Sequence, residues 1–596
     1  LRPRPLNLHR IRLGFFSLEA AKQAFGVVET VEVCLTSAKA PHDTTTTPHA
    51  VAQPEAAPRV IHSEPETIWH KLDHLLYLPL LGLCRPRDLY YYQGQGLKVL
   101  HGFTYKYLTL EHFLGELTQL QVGYPLADAL AYRYSQAWYP GQSPLFIFTD
   151  WHTKPHWTKS PAHSGHITML ERVMPGTKQL ILNGPDGHLL GGWNDAIDTH
   201  LSHVLVDLEA DLATKLGRPI AYNVFDSEGS GLPTALRYAA AQRDYISVLP
   251  RQDSHTLSAF EVVGEWEPVE NDAEHEAVYA HWADADQARE DPRRLVLMRP
   301  SGETEPTRIY AGRIPQDLSA GAVPARFRQR WMGQERVIRQ LVNGANLNTN
   351  FGYQYIEVPS RTQQRRWDDA QEKVQVTERH LAEQQEARHN LHAKLQTLRY
   401  TYRQAQQNLR TQIEAQSIEF AQRQAKGQTW RRSEQRWQQL QRQSDALTAR
   451  FQRQRLRVLE TAQQHWLQRN ALQRERADRC AARDAIDTVS LCRERDLQKD
   501  QVMLDLQVLL ASLHDWARQN YFAPEWQHLE LNTATELIYR KAGRVRWGPT
   551  DIEVTLDSYR YPEHQRAMQE TCRRFNAAQV RWRDGRLLRM RVAEGA

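Results

Sequence analysis

The feature that most restricts the fold is a long stretch of sequence with no helix breaker. Residues 367–478 are rich in Gln, Arg and Glu and contain no proline, so a helix can run through them for many turns. Apolar residues recur there at steps of three, four and seven, which is the a/d spacing of a coiled coil. The first run consists of Leu391, Leu395, Leu398, Tyr402, Ala405 and Leu409, and the second of Trp430, Trp437, Leu440, Leu447, Phe451 and Val458. Because Gly427 separates the runs, the pattern predicts two long helices in an antiparallel hairpin or in an intermolecular coiled coil.

The same stretch carries the basic surplus of the chain. The 596 residues include 75 Lys and Arg against 70 Asp and Glu, a net charge of only +5. Residues 361–480 hold 24 of the basic and 13 of the acidic residues, so the remainder of the chain is net negative. A concentrated surplus favours a polyanionic partner, bound through counterion release, although a solvated helix face is the alternative. We therefore predict that residues 361–480 form a basic helical arm that holds DNA.

Cysteine spacing and apolar runs bear on the compartment. The five cysteines are Cys34, Cys84, Cys480, Cys492 and Cys572. They lie far apart with no CxxC pair, which is typical of free thiols and argues against a disulfide scaffold or a cysteine zinc site. The longest apolar run, Leu75 to Cys84, is shorter than the roughly 20 residues that a membrane-spanning helix needs. With no signal peptide recognisable at Leu1, we expect a cytoplasmic protein without a membrane partner.

Composition and periodicity divide the chain into five parts. Residues 39–65 are rich in Thr, Pro, Ala and His, have little to bury, and are predicted to be a disordered linker. The predicted parts are an N-terminal segment with this linker (1–65), a helical N-terminal domain (66–140), a catalytic core (141–360) with a β-rich insertion at about 255–320, the basic helical arm (361–480), and a C-terminal helix with a small α/β piece (481–596).

Within the predicted core, the order of strands and helices is the most informative pattern. Three strands, a helix, a strand, a helix and a strand follow one another up to residue 250, and the Asn183–Gly187 sequence has the turn chemistry of a hairpin. The strands are predicted at Leu145–Thr149, His166–Val173, Gln179–Leu182 with His188–Gly191, Ile220–Phe225 and Tyr245–Leu249, and the helices at Asp195–Leu216 and Leu232–Gln242. This is the order of a ribonuclease H-like mixed sheet, so we expect a fold of the α+β or α/β class with a coiled-coil-like arm.

Two of these strands end in an acid. Asp150 follows Leu145–Thr149, and Asp226 follows Ile220–Phe225. The two strands are neighbours in a ribonuclease H-like sheet, so both carboxylates would lie at one edge. The alternative is that each acid is an ordinary strand-end turn residue or helix cap.

Helix geometry singles out a third acid, Glu335. One face of the helix predicted at 325–342 consists of Phe327, Trp331, Glu335, Ile338 and Val342. Glu335 is the only charge on that apolar face. A buried carboxylate is costly unless it is paired or binds a metal, so the alternatives are a salt bridge to Arg330 or Arg339 and a metal site.

Three converging carboxylates suit a hard cation. Mg²⁺ takes oxygen ligands and keeps waters and substrate phosphates in its shell. Two such ions about 4 Å apart would activate a water or a 3′-hydroxyl and stabilise the leaving oxygen of a phosphodiester. The residues therefore predict that Asp150, Asp226 and Glu335 are catalytic and bind metal.

At these motifs the chain resembles the DDE transposases of bacterial insertion sequences, in the branch with a β-insertion between the second Asp and the Glu. The similar segments are Phe146–His152 with Lys154–Trp157, Leu182–Gly187, Val224–Gly229, and Arg330–Glu335, which is similar to an RWxQE helix signature. They cover about residues 66–360. This chain has one more residue between Trp331 and Gln334 than that signature, and Arg339 stands where a lysine is usual.

The resemblance implies cleavage of the ends of an insertion sequence and their joining to target DNA. It implies two Mg²⁺ or Mn²⁺ ions, with Arg330 and Arg339 contacting DNA phosphate near the cleaved end. The implied partners are the terminal inverted repeats, target DNA and a second copy of the chain, in a bacterial, nucleoid-associated setting. From the residues themselves, Lys154 and Lys159, next to Trp151 and Trp157, form a candidate DNA surface, with phosphate held by the lysines and a flipped base stacked on an indole. The alternative is that they are plain surface residues.

Other interpretations remain open at this point. One is a catalytically inactive DNA-binding or scaffolding coiled-coil protein derived from a transposase, and another is a ribonuclease H-like nuclease without strand transfer. A zinc site is a further alternative for four neighbouring histidines, although ordinary turn residues or phosphate-contacting residues are the simpler explanations. These histidines are His152, His156, His163 and His166.

Overall fold

The computed structural model describes most of the chain, in two compact units. The described residues are 11–12, 18–38, 65–92, 97–98, 104–158, 162–250, 256–352, 354–359, 361–429, 431–486 and 491–594. One unit comprises Leu1–Ile356 with Arg493–Ala596, and the other is Glu357–Cys492. Lys159, Trp430 and the linker predicted at 39–65 (apart from Pro65) lie outside the described residues.

The fold is mixed α+β, with one large mixed sheet and several long helices. The strands are β1 Ile11–Arg12, β2 Leu145–Pro155, β3 Ser164–Ile167, β4 Arg172–Asn183, β5 Leu189–Ala196, β6 Ile220–Val224, β7 Tyr245–Val248, β8 Phe260–Val269, β9 Asp272–Trp282, β10 Arg294–Pro300, β11 Arg308–Gly312, β12 Tyr355–Pro359, β13 Leu491–Arg495, β14 Ala542–Trp547, β15 Asp551–Leu556 and β16 Leu587–Val592.

The α-helices alternate with these strands in the first half of the chain and dominate the second half. They are α1 Leu18–Ala24, α2 Val27–Ala38, α3 Pro65–Leu76, α4 Tyr107–Gln119, α5 Gly123–Trp138, α6 Leu201–Leu216, α7 Leu232–Ala240, α8 Ala285–Glu290, α9 Ala322–Arg330, α10 Arg336–Gly344, α11 Arg361–Ala425, α12 Arg431–Asp484, α13 Gln498–Asn520, α14 Leu531–Ala534 and α15 Pro562–Ala577. A π-helical turn, Trp331–Glu335, joins α9 to α10. Among the described residues, no helix is both long and apolar enough to cross a membrane.

The large sheet has the order β3-β4-β2-β6-β7-β11-β10-β9-β8, and β5 also pairs with β4. β2 is antiparallel to β4 and parallel to β6, and β6 is parallel to β7. The helices α6 and α7 lie in the connections that lead to the two parallel strands, as parallel pairing requires. β11 is antiparallel to β7, so the β-rich insertion, β8 to β11, extends the main sheet.

The strands occur in the predicted order, but several of them begin or end at residues other than those predicted. β2 continues through Asp150 to Pro155, where the prediction stopped at Thr149. The strand predicted at His166–Val173 is wrong, because a short turn at Thr168–Leu170 separates β3 from β4. The predicted hairpin is present: β4 ends at Asn183, and Gly187 has a φ of +79°, a left-handed conformation that glycine adopts without steric cost.

Helix α13, from the last fifth of the sequence, lies in the main core beside elements from the first third. Most of its residues are buried, and it packs on β5 and α5. The Gln501 side chain accepts a hydrogen bond from the backbone N–H of Asn194 at 2.7 Å and donates to the carbonyl of Gly192 at 3.0 Å. A region that the sequence indicated only as a C-terminal helix therefore covers the sheet that carries the predicted site.

The N-terminal segment belongs to the same core. Lys22, on α1, forms an ion pair with Asp73 of α3 at 2.8 Å, and Tyr77 donates a hydrogen bond to Glu19 at 3.0 Å. Strand β1 pairs with β14 in the small sheet β1-β14-β15-β16 near the end of the chain. The described part of residues 1–65 is thus packed with later segments and is not a separate domain.

The arm is an antiparallel helical hairpin within one chain, which decides between the two predicted arrangements. Tyr402 of α11 stacks on Phe451 of α12, with 4.1 Å between the ring centroids. Further along, Gln384 contacts His465 at 2.5 Å. Later residues of α12 thus meet earlier residues of α11, as antiparallel pairing requires. The heptad spacing identified Tyr402 and Phe451 as residues of the helix contact, because a/d packing depends on local periodicity.

Candidate active site

Asp150 and Asp226 are brought together by the parallel pairing of β2 and β6. Phe148 pairs with Val224 in that register. Asp150 lies two residues after Phe148 on β2, and β6 ends at Val224, two residues before Asp226. The chain leaves the sheet at this point, where Asp226 caps a short turn by accepting a hydrogen bond from the backbone N–H of Ser227 at 2.7 Å. The two acids that the sequence predicted to be neighbours are therefore neighbours.

A single nitrogen of Arg330 lies between the two aspartates. The Nη2 atom is 3.3 Å from Oδ2 of Asp150 and 3.4 Å from Oδ2 of Asp226. Since one nitrogen contacts both oxygens, these oxygens lie within two hydrogen-bond lengths of each other. The other oxygen of Asp150 accepts a hydrogen bond from the backbone N–H of Trp151 at 2.9 Å. Each carboxylate thus has one oxygen held by the backbone and one directed at the guanidinium.

Glu335 ends the π-helical turn that begins directly after Arg330. A π-helical turn accommodates one residue more than an α-helical path and is frequent at functional sites. The extra residue between Trp331 and Gln334 therefore falls in the turn. Arg330, before the turn, contacts both aspartates, and Glu335, at its end, interacts electrostatically with Arg330 and Asp226. The apolar face predicted for this helix is wrong at Trp331, which is 64% exposed because the π turn alters the helical phase.

Gln334 and Gly333 hold the π turn on the sheet. The Gln334 side chain is buried and donates a hydrogen bond to the carbonyl of Ile181 at 3.2 Å, and Ile181 is the residue that pairs with Asp150. A Cβ atom on Gly187 would lie 3.0 Å from the Cα of Gly333. The β4–β5 hairpin turn thus meets the π turn backbone to backbone, and glycine is needed on both sides.

Gly187→Ala is expected to destabilise the protein and to displace the π turn. The left-handed φ of +79° costs an L-residue about 1–2 kcal/mol, and the new methyl group would press on Gly333. Gly302→Ala is the matched control, because Gly302 has a φ of +85° but nothing within 4 Å of an added Cβ. Urea unfolding of both variants measures the two costs. A loss of stability no larger for Gly187→Ala than for Gly302→Ala would contradict the contact.

Burial and mutual repulsion act on the acids of the site. Burial raises the pKa of Asp150 to about 6, with Arg330 opposing this rise and Asp226 adding to it. Burial also raises the pKa of Glu335, again opposed by Arg330 and reinforced by Asp226. Three carboxyl groups and one arginine therefore interact electrostatically. Raised carboxyl pKa values produced by burial and neighbouring charge are typical of functional sites.

The side chains offer the right donors for a hard cation, since Asp150, Asp226 and Glu335 supply only oxygen atoms. The three carboxylates do not, however, lie close enough together to form a complete set of metal ligands. Among the described residues, no group of three or more His, Cys, Asp and Glu side chains is placed to hold a metal ion. The positive charge between the two aspartates is that of the Arg330 guanidinium.

Scans of the chain against models of known protein families and against curated proteins found no match.

The structure corrects the prediction for Lys154. Its side chain is 1% exposed, and Nζ is 2.9 Å from Oδ1 of Asp500 on α13. Oδ2 of Asp500 is 2.8 Å from Nη2 of Arg495. A lysine in this buried ion pair is not available at the surface to contact DNA.

The other predicted DNA contacts are spread over the first unit. Arg330 is buried against the aspartates. Arg339 is exposed and contacts Glu530 at 2.5 Å, and no contact of Arg339 with the three carboxylates is recorded in the part of the chain that the structure describes. Trp157 is 74% exposed, which leaves its indole accessible. Their roles toward DNA stay predictions.

The histidines considered for zinc have separate partners. His152 is 2.7 Å from Oδ1 of Asn348, His156 is 2.5 Å from Nη1 of Arg495, and His163 lies 3.9 Å from Asp198. His166 lies on the short strand β3. His152, on β2, and His156, directly after it, are buried and are not turn residues.

Sequence reasoning missed a second charged pair beside the aspartates. Nζ of Lys178 lies 3.0 Å from Oε1 of Glu228 and 5.7 Å from the centre of the Trp151 ring. Glu228 contributes to the raised pKa of Asp150. The sequence did offer a signal for Glu228, because it lies two residues after the predicted site residue Asp226. Nothing local distinguishes Lys178, because its contact depends on the β4 register.

Proposed function

We propose that the protein is a DNA transposase that cleaves the ends of its insertion sequence and joins them to target DNA. The observation that carries the proposal is the convergence of Asp150 and Asp226 from adjacent parallel strands, with Glu335 on a helix beside them. These are the residue types that metal-dependent phosphodiester chemistry requires.

The topology of the sheet supports the same proposal. The strands β5, β4 and β2 are antiparallel neighbours, and β6 and β7 follow in parallel with β2. Their order across the sheet is β5, β4, β2, β6, β7. If these five strands are renumbered 1 to 5 along the chain, starting from β2, that order becomes 3-2-1-4-5, which is the order of a ribonuclease H-like sheet. The insertion β8–β11 falls between Asp226 and Glu335, as in the transposase branch that the motifs resemble.

In this proposal, Asp150, Asp226 and Glu335 hold Mg²⁺ or Mn²⁺. The two ions would supply activation of a water or a 3′-hydroxyl and stabilise the leaving oxygen. Gln334 positions Glu335 by fixing the π turn to the carbonyl of Ile181. The Ser227 N–H orients the carboxylate of Asp226. These hydrogen bonds set the geometry of the site before substrate arrives.

The partners are proposed from charge and exposure. The arm carries 24 basic residues within 361–480, most of them on exposed faces of α11 and α12, so it would hold DNA phosphates by counterion release. Trp157 and Arg339 are the exposed candidates for contacts near the cleaved end. Two copies of the chain would bind the two ends of the element, in the bacterial cytoplasm at the nucleoid.

The deciding experiment is cleavage and joining of labelled DNA. A duplex carrying the inverted repeats that flank the coding region is incubated with the protein and Mg²⁺, with EDTA as the control. We expect Mg²⁺-dependent nicks at the repeat ends and a longer product joined to target plasmid. Cleavage without a joined product identifies a nuclease, and binding without cleavage identifies an inactive scaffold. Either result would overturn the proposal.

A further inference from the structure

Arg330 is an unusual neighbour for carboxylates that are proposed to bind metal. Its side chain is 6% exposed and contacts both aspartates through one nitrogen. Its Nε atom is buried and has no hydrogen-bond partner among the described residues. It ends α9, where the π turn begins. A buried guanidinium with an unused donor is held there by the two negative charges in front of it.

We propose that Arg330 is the internal counter-cation of this site, and that its ion pairs with Asp150 and Asp226 compete with divalent metal for the same oxygens. The inference rests on the proposed function, because it takes these aspartates as metal ligands. It goes beyond that function in assigning Arg330 a competition with metal, in addition to any contact with DNA.

The physical basis is the closeness of the two carboxylates. Their facing oxygens lie within two hydrogen-bond lengths of each other, a separation at which two negative charges repel strongly unless a cation lies between them. Arg330 supplies that cation. A divalent ion bound by the same Oδ2 atoms makes the guanidinium redundant and repels it. Metal entry therefore has to break two ion pairs, which weakens metal binding, and it releases an arginine suited to phosphate.

The test is the affinity for Mn²⁺, the paramagnetic probe, in the EDTA-treated and dialysed full-length protein. Free Mn²⁺ is measured by electron paramagnetic resonance in titrations of the parent protein and of Arg330→Gln. Losing the competing cation should tighten Mn²⁺ binding by at least about fivefold, the lower end of typical coupling between two linked equilibria. Without metal, Arg330→Gln should unfold at a lower temperature than the parent, since the carboxylates then face each other without a cation.

Arg328→Gln is the matched control. Arg328 lies on the same helix and forms an ion pair with Asp272, away from the aspartates of the site. This variant removes an equal charge and should bind Mn²⁺ like the parent. If Arg330→Gln does not fold, Arg330→Met replaces it. A lysine would keep the charge and could approach both carboxylates with one nitrogen, as Nη2 of Arg330 does, so the variant used in its place must be uncharged. Arg330→Met, which keeps an apolar stem and removes the competing cation, should also bind Mn²⁺ more tightly than the parent.

The outcomes separate this inference from the proposed function. Mn²⁺ binding by the parent that is lost in Asp226→Asn, together with equal or weaker binding by the Arg330 variants, overturns the competition and leaves the metal site. No Mn²⁺ binding by the parent or by either Arg330 variant overturns both. An equal gain in Arg328→Gln also contradicts the inference, because net charge would then explain the effect.

Discussion

Replacement of Asp226 by Asn is expected to lower DNA-end cleavage by about 10³-fold or more, because losing several kcal/mol of metal-mediated stabilisation has that effect on a rate. The substitution removes the charge. It keeps an oxygen that can accept the hydrogen bond from the backbone N–H of Ser227, which is 2.7 Å from Oδ1 of Asp226 in the parent protein. Half of the Asp226 side chain is exposed, so folding and DNA binding should be retained. The measurement is the rate of Mg²⁺-dependent nicking of end-labelled DNA at saturating protein.

Asp207→Asn is the control for this prediction. Asp207 is an exposed aspartate on α6 whose carboxylate pairs with Arg237 at 2.8 Å. Its replacement should leave cleavage unchanged. Unimpaired cleavage by Asp226→Asn would remove Asp226 from the reaction and with it the assignment as a transposase of this type.

Replacement of Asp500 by Asn should cause a large loss of stability. Asp500 is 1% exposed and pairs with Lys154 at 2.9 Å and Arg495 at 2.8 Å. Removing its charge leaves two buried cations without compensation, and breaking a buried pair in this way costs about 3–5 kcal/mol. The measurement is the free energy of unfolding in urea, followed by circular dichroism.

The neighbouring ion pair provides the control. Lys499 contacts Glu111 at 2.6 Å in a partly exposed position, so Lys499→Gln should cost less than about 1 kcal/mol. Burial opposes ionisation of Asp500, but Lys154 and Arg495 lower its pKa below the usual value. The stabilisation of the folded state by the ionised Asp500 carboxylate is therefore complete above the pKa of an aspartate in the unfolded chain, about 4. It is lost as the pH falls through the lower pKa that Asp500 has in the folded protein. A cost of Asp500→Asn no greater than that of Lys499→Gln would contradict the buried pair.

Much of the candidate site could be predicted because it depends on short segments. Asp150 and Asp226 follow two apolar runs, and that signal is local, although β2 continues past Asp150 to Pro155. Glu335 was found from its phase on a helix, although the π turn changes that phase and exposes Trp331. A one-residue insertion is visible in the sequence, but whether it becomes a loop, a kink or a π turn depends on the packing around it.

Contacts between distant segments could not be predicted. The ion pair of Lys154 and Asp500 joins residues 346 positions apart, and nothing near Lys154 in the sequence indicates that α13 covers it. A lysine beside two tryptophans has the same local pattern whether it is exposed or buried. For the same reason Lys178 and Glu228, which meet from separate elements of the fold, went unnoticed.

By itself, the sequence determined that the arm consists of two long helices, the order of most strands and helices and the positions of the two aspartates, because these follow from hydrophobic periodicity and turn chemistry within a few residues. Only the tertiary structure decided that β2 and β6 align Asp150 with Asp226, that Arg330 lies between them, and that α13 belongs to the same core. Register and burial are properties of pairs of segments, and their energies arise when those segments pack.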